Sequence, residues 1–116
     1  KLWEDYPQCI DALVHVGHMY NNLTRKVRHA LNCYTAAIHI AEQGFPEDFD
    51  GVFLWVCIEN RPYLRALHGL CLAQWKSESF EDALGTAKKL LRLCPTDNLG
   101  VRLIIDDIAR GVPWGR

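Results

Sequence analysis

Apolar residues recur along this chain at intervals of three and four, and short breaks rich in polar residues, Gly or Pro interrupt the pattern. That periodicity is the signature of amphipathic helices. Ile10, Leu13, Val14, Gly17 and Tyr20 predict a first helix over about 7–23, with Asp5 as its N-cap and Pro7 tolerated in its first turn. Thr24 is placed to cap a second helix, in which Val27, Ala30, Leu31, Tyr34, Ala37, Ile38 and Ala41 keep the spacing until Gly44 and Pro46 stop it. Asn60 caps a third helix with Pro62 in its first turn, and Lys76-Ser77-Glu78 breaks it. Ser79 and Asp82, three apart, read as a variant capping box opening a fourth helix that Pro95 ends. Thr96 or Asp97 then caps a fifth helix over about 97–110, carried by Val101, Ile104, Ile105 and Ile108 and stopped by Gly111 and Pro113.

The segment 44–59 departs from this regularity. It begins with turn-forming and acidic residues and continues as the apolar run Val52 to Ile58. A lone strand there would have no partner for its backbone groups, so the segment is expected to be irregular or partly helical and to lie against the helices, with a docked partner surface as the alternative.

Composition fits one all-α domain spanning 1–116: 116 residues, 49% hydrophobic and 23% charged, enough chain to bury a single core. A formal net charge of -1 gives no global attraction to nucleic acid or to an acidic membrane, so neither is an expected partner. No apolar run approaches the roughly 20 residues that span a bilayer. The chain opens on Lys1 rather than Met, which is expected of a piece of a longer protein. Five cysteines, an odd number without a CxxC pair, sit mostly within helical patterns and favour reduced thiols and a cytoplasmic setting. The Asn22-Leu23-Thr24 triplet, a glycosylation acceptor in form, runs against that setting.

Two stretches share a finer pattern. Leu67, Leu70, Cys71, Phe80, Ala83 and Pro95 fall at the offsets of a helical hairpin, and Leu13, Val16, Gly17, Tyr20, Ala30, Tyr34 and Ala37 repeat them. The pattern resembles the tetratricopeptide repeat (TPR), a helical hairpin of about 34 residues. The resemblance implies antiparallel hairpins stacked as a short right-handed superhelix of about five helices: one hairpin over 7–43, a second over 60–95 and a terminal half-repeat. The interval from Ala30 to Ala83 exceeds a regular repeat by about 19 residues, which makes 44–59 an insertion. The segment ENRPYLRALHGLCLAQW followed by LLRLCPTDNLGVR is also similar to small bacterial TPR-type proteins, which implies a bacterial source.

The resemblance further implies a non-catalytic interaction scaffold, whose first helices line a concave groove for a peptide or a partner helix. Its groove positions fall on Asp11, Val14, His18, Asn21 and Asn22 in the first hairpin. In the second they fall on Arg65, His68, Leu72, Trp75 and Lys76, and in the last helix on Leu99, Arg102 and Asp106. Trp75 and the arginines would anchor acidic and apolar residues of the partner, with Trp75 packed into the hairpin turn as core the alternative. Members that clamp acidic chaperone tails carry Lys, Asn and Arg where this chain has Val14, His18, Gly69, Leu99 and Leu103, so a different partner is implied.

Other chemistry is sparse. His15 and His18 form an HxxH pair, two metal ligands at most, without the HExxH or Cys/His context of a metal site. Cys57 lies outside the helical pattern but has no base beside it in sequence. A small enzyme or metal-binding protein built on these residues is the alternative, and no cofactor is expected because no Gly-rich phosphate loop occurs. The off-face pair Leu99 and Leu103 is expected to be covered by a second copy of the chain or by the Val52 to Ile58 insertion, with an exposed pair as the alternative, and self-association as a homodimer through these leucines with Phe53 and Trp55 is a further reading.

Overall fold

The computed structural model describes residues 7–23, 26–45, 51–53 and 60–115. The elements run α1 (Pro7–Leu23), α2 (Val27–Glu42), α3 (Arg61–Lys76), α4 (Phe80–Leu93), a 3-10 turn (Val101–Leu103) and α5 (Ile105–Ala109). The fold is all-α, with no strand among the described residues.

Consecutive helices pack as neighbours, and α1 also packs on α3. This leaves α3 in the middle, touching α1, α2 and α4, and its sequence allows that position. Large residues Tyr63, Leu64, Leu67 and Trp75 are buried together with the small Ala66, Gly69, Cys71 and Ala73, so the helix is covered on more than one face. The outer helices bury narrower stripes, such as Ala83, Ala87, Leu90 and Leu93 on α4. The expected packing of α3 on α4 is present: Leu67, Cys71, Ala83 and Leu90 are buried, Leu70 packs against them, and Cys71 Sγ donates to the Ala83 carbonyl at 3.5 Å.

The break between α3 and α4 forms where the sequence places it. Glu78 N–H donates to Trp75 O and Ser79 N–H to Gln74 O, both at 2.9 Å, with Glu78 in the left-handed region at φ 61. This is the paired closure of a Schellman motif. The capping box differs from expectation. Ser79 is the N-cap of α4 but its hydroxyl makes no cap hydrogen bond and lies 3.4 Å from Ser77 Oγ instead. Asn60 likewise precedes α3 without a side-chain cap bond, and α2 starts after Lys26. Asp5, Thr24, Trp55 and Cys57 lie outside the described residues.

The expected helix over 97–110 is replaced by tighter pieces. Asp97 and Gly100 both take left-handed conformations, at φ 52 and φ 76, which breaks helical continuity between them. Asp97 still caps, but one turn later than expected: its carboxylate accepts from Val101 N at 2.7 Å and Arg102 N at 2.9 Å, at the start of the 3-10 turn. From the insertion, Phe53 lies against the helices as expected. Its N–H donates to Leu93 O at 2.6 Å, and its buried ring meets Phe45 and Tyr63 with centroids 5.2 and 5.3 Å away.

Candidate functional site

The packing of α1 across α3 leaves a depression of about 650 Å³ lined by Asp11, Ala12, Val14, His15 and His18 of α1 and by Arg65 of α3. Asp11, His15 and His18 stand at i, i+4 and i+7, which puts them on one helical face. Val14, 2% exposed, is part of the apolar floor. Of the expected groove residues, the structure brings together Asp11, Val14, His18 and Arg65.

Behind the depression stands Tyr34. Its fully buried ring comes from α2 and lies against Gly17 of α1 and Gly69 of α3, where a side chain at either glycine would collide with it. The Tyr34 hydroxyl meets His18 Nδ1 at 2.5 Å. Burial lowers the His18 pKa below 6.5, and the positive charges of His15 and Arg65 lower it further against the opposing Asp11. Burial pushes the Tyr34 phenol up to about 12, with Cys33 adding to the rise and the Asn21 side chain opposing it. His68, half-buried, is also held below 6.5, first by burial and then by His18, against Asp97.

The remaining expected groove residues are used elsewhere. Asn21 is only 6% exposed and belongs to the interior, with its backbone carbonyl accepting from Lys76 Nζ at 2.9 Å. Trp75 is 6% exposed and is not an open anchor, because the C-terminal segment covers it. Its Nε1–H donates to Val112 O at 2.7 Å, and Trp114 meets it edge to face with centroids 4.9 Å apart. Lys76 Nζ stands 4.8 Å over the Trp114 ring. Leu72 packs against the core. Arg102 is exposed in the 3-10 turn, where Nη2 donates to Pro95 O at 3.1 Å, and it does not line the depression. Asn22 and Asp106 are exposed and do not line it either.

Among the self-association residues, Phe53 is buried in its aromatic cluster and Leu99 packs against the core, so neither offers an open face. Leu103 remains 86% exposed. Among the described residues no group of three or more His, Cys, Asp or Glu is placed to hold a metal ion, which leaves His15 and His18 without a third ligand. No helix among the described residues is long and apolar enough to cross a membrane.

The sequence placed His18 on the groove and treated His15 only as half of a metal pair, although the i, i+4, i+7 spacing with Asp11 was readable. Tyr34 as the backing of His18, and Trp114 as the cover of Trp75, carry no local signal, since 16 residues separate Tyr34 from His18 along the chain. The sequence matches no family model, and no curated protein or solved structure is similar enough to count as a relative.

Proposed function

We propose that the chain is a non-catalytic protein-interaction scaffold of TPR-like build that holds a peptide or partner helix in the depression between α1 and α3. The observation that carries this reading is the convergence of Asp11, His15 and His18 from one helix with Arg65 from another around an apolar floor. Charged and imidazole groups at the rim of a concave apolar surface give a partner both contact area and directional bonds. The TPR-like part is supported by the packing of α1 on both α2 and α3, by Gly17 and Gly69 against the Tyr34 ring, and by the burial of Ala30 and Ala37. A bacterial cytoplasmic setting belongs to the same proposal; unpaired thiols at Cys9, Cys33, Cys71 and Cys94 support a reducing compartment.

The test is affinity capture from native lysate with wild type and with Arg65→Glu in parallel. Proteins retained by the wild type and lost from the charge-reversed variant are expected. The same retained set on both, or turnover of a small molecule, overturns the reading. Self-association is a second reading, favoured by Leu103 at 86% exposure. Light scattering that shows a dimer for wild type and a monomer for Leu103→Lys would support it, and a wild-type monomer would reject it.

A further inference from the structure

The hydrogen bonds behind the depression fix the proton positions in front of it. Tyr34 Oη lies 2.5 Å from His18 Nδ1. Among the described residues the Tyr34 hydroxyl makes no second hydrogen bond that could take its proton. The phenol proton is therefore directed at His18 Nδ1, which acts as acceptor. A neutral imidazole that accepts at Nδ1 carries its own proton on Nε2. Nδ1 is turned to Tyr34 and His18 lines the depression, so the N–H donor is directed to the open side, in a depression that Arg65 also lines.

Two donors of this kind, one neutral and one cationic, match the two oxygens of a carboxylate. Arg65 has five N–H donors, so a bond made within the protein does not exhaust it. Asp11 stands seven positions before His18 on the same helix, a rise of about 10 Å. An extended peptide covers that distance in about three residues. The depression thus has a donor end at His18 and Arg65 and an acceptor end at Asp11.

We infer that Tyr34 is a positioning residue that sets His18 as an Nε2–H donor, and that this donor and Arg65 together seat one carboxylate of a peptide whose cationic side chain, about three residues away, meets Asp11. The inference rests on the peptide-binding reading above and names the chemistry of the partner. It also gives Tyr34 a role beyond filling the space between Gly17 and Gly69. The ring does that filling, and the hydroxyl orients the imidazole.

The test has one arm that needs no ligand. Nitrogen-15 spectra of the full chain report the His18 tautomer directly. The Nε2–H form is expected in wild type, and in Tyr34→Phe, which keeps the ring between the glycines, the preference for that form is lost. The second arm follows His18 and Arg65 resonances during titration with the capped tetrapeptide Glu-Ala-Ala-Lys and with its Gln-Ala-Ala-Lys counterpart. Wild type is expected to bind the Glu peptide, and either the Gln peptide or Tyr34→Phe weakens binding about fivefold, the net size of one hydrogen bond. His18→Gln, which places an amide N–H near the position of Nε2–H, should stay within about twofold of wild type, and His18→Ala should not. An Nδ1–H tautomer in wild type overturns the role of Tyr34 and leaves the peptide-binding reading standing. Equal binding of Glu and Gln peptides overturns the carboxylate assignment, and no binding of either overturns the peptide-binding reading as well.

Discussion

The two glycines facing Tyr34 show how a missing side chain becomes a packing requirement. Gly17 and Gly69 belong to different helices, and a Cβ on either would run into the same fully buried ring. Gly69→Ala therefore forces a flat, enclosed aromatic group to move, and overpacking of that kind destabilises by about 1–3 kcal/mol, more than the roughly 1 kcal/mol that alanine gains in helix propensity. Urea unfolding should show the midpoint falling; a midpoint above wild type would mean that Tyr34 has room to give. Trp75 is a second residue whose role was set by a distant contact. With its ring buried and its N–H bonded to Val112 O, Trp75→Ala should destabilise the fold by about 3–5 kcal/mol. Chemical denaturation would reveal the loss, and a variant of wild-type stability that binds partners poorly would return Trp75 to the groove.

At the scale of elements, helix bodies follow the sequence pattern and helix ends follow the backbone. The 3.6-residue spacing of apolar positions located α1 to α4 within one or two residues, because each helix has to bury a stripe whatever its neighbours are. Caps were less legible. Ser79 and Asn60 are residue types that can cap, but a cap bond needs a rotamer as well as a hydroxyl or amide, and neither forms one here. The α3–α4 turn relies instead on Glu78 in the left-handed region, a conformation unfavourable for a side chain with a Cβ. Glu78→Gly should therefore stabilise by about 1 kcal/mol. Gly85, in the exposed middle of α4 with nothing within 4 Å of an added Cβ, offers the mirror case, and Gly85→Ala should stabilise by about 0.5–1 kcal/mol. Thermal melts of the two single variants and the double variant test both; a lower melting temperature for either would contradict its local account.

For the whole molecule, the histidines between the helices couple folding to pH. His18 and His68 are held below 6.5 mainly by burial in the fold. As pH falls through about 6.5 the unfolded chain binds protons at these positions while the folded chain still resists them. The contribution to stability is thus complete above that pH and declines below it, until the folded groups protonate at their own lower values. The melting temperature should drop between about pH 7.5 and about pH 5.5, and His68→Gln should flatten the drop. A melting temperature that rises on acidification would reverse the sign and exclude buried neutral imidazoles.

The sequence by itself determined the helical class, the positions of the four long helices, the break at Lys76 to Glu78 and the helical face shared by Asp11 and His18. All of these depend on intervals of seven residues or fewer, within which helix geometry fixes what lies beside what. Only the tertiary structure decided which of the candidate residues face outward. Asn21 and Trp75 carry the right spacing for a groove and are buried, Asn21 with its carbonyl held by Lys76 and Trp75 beneath the Val112–Trp114 segment, partners that come from far along the chain. The pairing of His18 with Tyr34 and with Arg65 is equally a product of helix crossing. Gly17 of α1 and Gly69 of α3 both make room for the Tyr34 ring of α2, and spacing within one helix holds no record of what another brings to the crossing.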